Sequence, residues 1–305
     1  MGYLAERIPY LPITERPQIR WPGGAKLAVW VVPNVEHTEY LPPATAVMDP
    51  WPRTPHPDVR EYSFHDYGNR VALWRMVELF DKYEIPPTAS LNVAVLQQFP
   101  EIRDMLVAKG WGIMSHGIYN TRYLGGDMSV EQEREFYADT IETVRAHAGY
   151  DLMGMLGPAI TGTVHTPDLM ADAGLVYHAD WIHDDQPFPI RVAGGQRFIS
   201  MPYTYELNDG PLLKRAIEGP EYAAMCKAQF DRLYADSDAT GRVMCLALHP
   251  FRLGQPHRIR HLEEVLSYLR GPEEVWFATG DQIARHYLDN YYDDVLARVT
   301  DTAAL

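Results

Sequence analysis

The sequence predicts an α/β fold in which a mostly parallel sheet, open or closed, carries its helices outside. Short apolar runs alternate with longer segments of helical period, and that alternation continues to the end of the chain. Hydrophobic residues make up 46% of the 305, ample material for a buried core.

The first run, "LAVWVV" at 27–32, reads as a fully buried strand, and "YGNRVALWRMVELFDKY" at 67–83 as a helix with Val71, Trp74 and Leu79 on one face. Then come the strand "PTASLNV", the helix of "FPEIRDMLVAKG" closing on Gly110, and the strand "WGIMSH". The next helix, "SVEQEREFYADTIETVRAHAG", has Ser129 as N-cap, an acidic first turn in Glu131 and Glu133, and Arg145, His147 and Gly149 at its end. "DLMGMLGP", "TPDLMADAGL", "VYHAD" and "RFISMPY" continue the series. The helix "EYAAMCKAQFDRLYAD", the strand "RVMCLALHP", the helix "RIRHLEEVLSYLRG", the strand "EVWFAT" and the helix "GDQIARHYLDNYY" complete it. One domain over 1–305 is expected, interrupted by the proline-rich 39–59 stretch, which has no period and reads as a lid, binding loop or oligomer contact.

Lys and Arg number 27 against 41 Asp and Glu, a net charge of −14 that repels nucleic acid and anionic lipid. No run reaches the roughly 18 apolar residues of a membrane span. The beginning, "MGYLAERIPYLPITERPQIRWPGG", lacks the apolar core of a signal peptide and the Ser or Thr of a myristoylation motif, so a soluble cytoplasmic protein is expected. Cys226 and Cys245 are expected in the core and make neither a disulfide framework nor zinc spacing.

In parallel α/β folds, side chains just past the carboxyl ends of strands converge on one rim. Those positions hold Asn34, Glu36 and His37, then His116 and Asn120, then Gly157 and Pro158, then Asp180, and last His249. Each has an ordinary structural explanation: a satisfied histidine at a strand end, an exposed acidic turn in "HDD" at 183–185. Their joint placement points to a site.

The ordered motifs "RWPGGAKLAVWVVPNVEH", "DYGNRVALWRMVELF", "MSHGIYNTRY", "VYHADWIHDDQPF", "MPYTYELND" and "LALHPFRLGQPHRI" resemble the polysaccharide deacetylase superfamily, the NodB-homology or carbohydrate esterase 4 group, and within it the allantoinase-like branch. The series spans about Arg20 to His286. The resemblance implies a distorted (β/α) barrel. In the deacetylases the first motif carries a base and a metal ligand, and the second carries two histidine ligands four residues apart. The matching positions here are Asn34, Glu36, His116 and Asn120. Asn34 cannot take a proton at neutral pH, and Asn120 offers only a neutral amide oxygen where imidazole would bind metal well.

The allantoinase-like branch also keeps a glutamate in the first motif, lacks the second histidine and works without metal, so the resemblance implies no cofactor. Glu36, His116 and Asn120 serve as ligands only if a weakly bound divalent ion such as zinc persists. The "LHP" motif implies that His249 protonates the departing nitrogen, as an imidazole can near pH 7. Asp180 either orients that ring or caps a loop. Glu36 either activates water or pairs with Arg122. Asn34, Tyr119, Asn120, Asn208 and Asp209 are candidates for gripping a polar substrate.

The expected activity is hydrolysis of a carbon-nitrogen bond in a small cyclic amide, imide or ureide. One alternative is a metal-dependent deacetylase of an acetylated sugar or small molecule, with His37 or water replacing the missing ligand. Another is a non-catalytic ligand-binding protein on a retired deacetylase scaffold. The branch further implies a homo-oligomer.

Overall fold

The structure is a computed structural model that describes residues 7–42, 57–215 and 217–302, so most of the expected 39–59 insertion lies outside the described residues. Its sheet is built from β1 (Leu27–Val35), β2 (Thr88–Leu91), β3 (Gly112–Ser115), β4 (Gly154–Met155), β5 (Tyr177–His178), β6 (Phe188–Pro189), β7 (Ile199–Ser200), β8 (Arg242–Leu248) and β9 (Val275–Phe277). The order is β6-β7-β5-β4-β3-β2-β1-β8, with β9 also paired to β1. Among these pairings only β6 with β7 is antiparallel. The sheet curls into a half-barrel with helices around it, as the strand-helix alternation predicts.

β1 is the axle. One of its edges pairs with β8 from Leu27 to Pro33; the other pairs with β9 from Leu27 to Val29 and then with β2 at Asn34 and Val35. Successive side chains of a strand point to opposite faces, and here each face has its own core. Leu27, Val29, Val31 and Val35 pack under the helices, while Ala28, Trp30 and Val32 join Met114, Tyr177, Ala179, Cys245 and Ala247 inside the curl. The Trp30 indole donates to the Pro202 carbonyl, so its one polar atom is satisfied in the interior.

The helix Val130–Ala148 begins with a reciprocal capping box between Ser129 and Gln132 and stops at Gly149, whose φ of 61° is the left-handed conformation glycine adopts freely. The helix expected at 67–83 is instead a π-helical turn over Gly68–Ala72 followed by Leu73–Lys82, and it continues from an earlier helix, Val59–Tyr67. Its buried face is Leu73, Met76, Val77 and Phe80, whereas Val71 is 38% exposed and Trp74 and Leu79 lie at the margin. Apolar residues flank both sides of that stretch, and the wider π turn breaks the 3.6-residue count from which the face was predicted. The short antiparallel β6 and the helix Tyr292–Thr302 were not anticipated.

Both cysteines are buried, as expected, and burial raises their thiols, Cys226 to about 12, which makes them inert as nucleophiles. Among the described residues no helix is long and apolar enough to cross a membrane.

Gly154 on β4 lies beside Tyr177 on β5, and a Cβ at Gly154 would stand 2.0 Å from the tyrosine ring. That ring is fully buried and its hydroxyl is held by Asp281 at 3.0 Å, so it cannot swing aside. Gly154→Ala is expected to lower unfolding free energy by about 2 kcal/mol or more, within or above the range typical of overpacking. Urea denaturation checks this, and an unchanged midpoint would refute it.

Candidate active site

Strand parity builds the site. Continuing inward from Trp30 and Val32, β1 delivers Asn34 and then Glu36; β3 delivers His116 after Met114; β8 delivers His249 after Cys245 and Ala247. A fourth group, His65, arrives from the helix Val59–Tyr67. The three imidazoles meet at the Glu36 carboxylate, whose side chain is 5% exposed. His65 Nε2 lies 3.1 Å from Oε2, while His249 Nε2 and His116 Nε2 lie 3.3 and 3.6 Å from Oε1. The Asn120 amide donates to Oε2 at 2.9 Å.

The other ring nitrogens fix the tautomers. His116 Nδ1 faces the Leu156 carbonyl at 3.0 Å, His65 Nδ1 the Glu61 carbonyl at 2.9 Å, and His249 Nδ1 the Asp209 carboxylate at 2.7 Å. These oxygens only accept, so each Nδ1 carries the hydrogen and each Nε2 turns to Glu36. A neutral ring would set a lone pair against a carboxylate. A proton must therefore lie in each gap, supplied by an imidazolium or by water.

Burial alone would lower the His249 value, but the charges of Glu36 and Asp209 and the hydrogen bonds to both push it up to about 9. For Glu36, burial would raise the value, yet the charge of His249 and the hydrogen bonds from His116, His249 and His65 hold it well below the usual carboxylate range. At neutral pH, His249 is a cation with a proton on the face it turns to the cleft, and Glu36 is an anion.

The cleft has a volume of about 380 Å³, and Asn34, His65, His116, Asn120 and His249 line it around Glu36. Asn34 spends its amide hydrogens on the Tyr203 hydroxyl at 3.0 Å and the Leu248 carbonyl at 3.2 Å. Asn208 also lines the cleft, while its side chain caps the helix Asp209–Lys214 by accepting from the Gly210 amide.

Two expected roles change hands. Asp180 does not orient His249: its carboxylate accepts from the Gly157 amide at 2.7 Å and faces His178 at 2.9 Å. Tyr177 and Ala179 point inside the curl, so alternation turns Asp180 away from the cleft. The orienting residue is Asp209, expected to grip substrate but fully buried behind the ring, where it holds both the Nδ1 and the backbone amide of His249. Tyr119 is not among the cleft residues; it packs on His37 and under the Arg122 guanidinium. Arg122 pairs with Glu39 at 2.8 Å, which removes it as the partner of Glu36. The His37 ring packs among Phe99, Tyr62 and Tyr119. The "HDD" stretch is a clamp, with Asp184 on Arg16 at 2.7 Å and Asp185 on Arg242 at 3.1 Å.

His65 was missed because it comes from a helix, where the strand-end rule does not look. Its signal was adjacency to "DYGNR". In that motif the Asn69 amide donates to the Glu36 carbonyl at 2.8 Å, and Gly68 lets the Phe251 backbone approach to where a Cβ would meet its nitrogen at 3.1 Å. The Phe251 ring in turn packs 4.1 Å from the His65 ring.

The positions that match metal ligands do not fit a resident ion. Asn120 faces Glu36 with N–H rather than oxygen, and among the described residues no group of three or more His, Cys, Asp or Glu side chains is placed to hold a metal.

Two expectations follow from this geometry. Asn120→His sets an imidazole beside Glu36 and His116, completing a two-histidine, one-carboxylate set. Calorimetric titration should show zinc bound at least about 10-fold more tightly than by the native protein; equal affinities would mean that position 120 does not complete the set. The second concerns pH. The His249 value is raised above its ordinary 6.5, so its contribution to stability is whole below about pH 6.5 and is lost as pH climbs through about 9. That of Glu36 is whole above about its ordinary 4.5 and is lost as pH falls through its depressed value. The stability gap between native protein and His249→Asn should therefore narrow from pH 6.5 to 9 in urea titrations, and a constant gap would contradict the raised value.

No family model matches the chain. A Schizosaccharomyces pombe protein named as a candidate polysaccharide deacetylase is 25% identical over 301 aligned positions, covering 87% of this chain and 91% of that protein. The crystal structure of Puue allantoinase superposes with a TM-score of 0.79 at 27% identity, covering 90% of this chain and 94% of that one. A candidate polysaccharide deacetylase of Pseudomonas aeruginosa PAO1 gives a TM-score of 0.79 at 26% identity, covering 90% and 95%. In its fold, its relatives and the motif order from β1 to β8, the chain is similar to the polysaccharide deacetylases and allantoinase of the NodB-homology fold.

Proposed function

We propose that the protein hydrolyses a carbon-nitrogen bond in a small cyclic amide, imide or ureide. The observation that carries this reading is the array Asp209, His249, Glu36: a buried carboxylate fixes an imidazolium whose remaining proton faces the cleft. Such a group is a general acid for an amide nitrogen, which leaves poorly without a proton. The likeness to Puue allantoinase supports a ureide-type substrate, and a cleft of about 380 Å³ suits a small molecule.

In this mechanism a water lies between Glu36 and the neighbouring rings. A carboxylate held so far below its usual range accepts a proton weakly, so Glu36 orients the water, which separates it from the His116 ring. His116, neutral in this state with its hydrogen on Nδ1 against the Leu156 carbonyl, takes the water's proton on Nε2. The water oxygen bonds to the amide carbon. His249 then gives its Nε2 proton to the nitrogen as the carbon-nitrogen bond breaks, leaving a carboxylic acid and an amine or amide.

Hydrolysis of an acetyl group from a sugar or small molecule is the second reading, supported by the deacetylase names of the relatives. It requires an ion, so activity should fall with a chelator. Assay of the purified protein on hydantoins, imides, ureides and N-acetyl compounds, with and without chelator, separates the two. His249→Ala should lower turnover on the order of 10²- to 10⁴-fold without a matching loss of stability. Unchanged kinetics would mean that the nitrogen is protonated by another group.

A further inference from the structure

Two further cations line the cleft, Arg252 and Lys214. Among the described residues neither forms an ion pair, and neither side chain donates a hydrogen bond to another residue. The chain carries 41 carboxylates against 27 lysines and arginines, so a cation at a cleft wall without a carboxylate is placed against the odds of the composition. The acidic groups of the cleft are engaged elsewhere. Glu36 holds three rings and Asn120, Asp209 holds His249, Glu61 lies 3.7 Å from His65, and Asp58 caps the amide of Glu61.

Lys214 has an ordinary explanation, the carboxyl end of its short helix, where a positive charge is favourable. Arg252 has less of one. Its guanidinium stands 5.5 Å from the Phe64 ring centroid and 5.3 Å from that of Phe251, held by π faces. Stacking of this kind orients the planar group and leaves its N–H fork open to a carboxylate. Phe251 also lies 5.4 Å from the His249 ring, so the fork and the proton donor flank one phenyl ring, within the span of a single small ligand.

We propose that the substrate carries an ionised carboxylate besides its scissile amide, and that Arg252 receives it as a bidentate pair while Lys214 draws it to the mouth of the cleft. This rests on the amide-hydrolase reading above, which names the reacting bond but not the rest of the molecule. Arg252 is then a specificity-determining residue, acting on binding and not on the chemical step.

The test uses three probes on the full chain: hydantoin, hydantoin-5-acetate, and glutarate, which binds without reacting. Arg252→Met keeps the apolar stem over the rings and removes the fork; Arg252→Lys keeps the charge alone. Thermal unfolding confirms that both variants fold. The expected result is a glutarate Kd and a hydantoin-5-acetate KM raised roughly 10- to 100-fold in Arg252→Met, less in Arg252→Lys, and in both variants more than the KM for hydantoin. Equal glutarate binding by native protein and Arg252→Met overturns the inference even if hydantoin is hydrolysed, and so does native protein that binds no glutarate. If no amide is turned over while glutarate binding still depends on Arg252, the carboxylate site at Arg252 is upheld and the hydrolase reading fails.

Discussion

The Glu36 carboxylate is the interaction on which the site depends. A buried carboxylate is costly, by several kcal/mol for an unpaired ion, and this one is tolerated because the His249 charge and donors from three separate segments surround it. The dependence runs both ways. Each imidazole keeps its orientation because its Nδ1 is held by an acceptor and its Nε2 faces the same anion. The site is thus one electrostatic unit assembled from β1, β3, β8 and the helix Val59–Tyr67.

The scaffold that holds this unit is found in contacts around and behind the cleft. Asn92 accepts from the His37 amide and donates to the His116 carbonyl, tying the loop after β1 to the loop after β3. Asn69, in the π turn, braces the Glu36 backbone, and Gly68 admits Phe251 so that its ring packs on His65. A π turn inside a helix is a local irregularity often kept at functional sites. Here it lies between the helix that carries His65 and the helix that packs into the core.

Most of the strands and helices were legible in the sequence, because apolar runs and helix caps are local signals. The β1 run, the Ser129 cap and the Gly149 stop all stand where the sequence predicts. Glu36, His116 and His249 were legible for the same reason: strand ends in a parallel sheet share one rim. The roles of Asp180 and Asp209 were not, because which carboxylate meets His249 depends on how the 203–210 segment packs across β8, a long-range contact with no local trace. Parity inside the curl could have excluded Asp180, since Ala179 occupies the inward position. The helical face of 67–83 failed where the π turn interrupts the repeat.

The fixed tautomers have a consequence for proton traffic. An imidazole passes a proton through a protein by taking it on one nitrogen and releasing it from the other, which requires both sides of the ring to be open to exchange. Here every Nδ1 is closed, against a backbone carbonyl for His65 and His116 and against a fully buried carboxylate for His249. The three rings therefore form a proton cul-de-sac: what His249 gives away must be returned through the same Nε2, from the same cleft. On the proposed mechanism, the proton released when water is activated is the natural source, so the three rings and Glu36 recharge one another across the cleft.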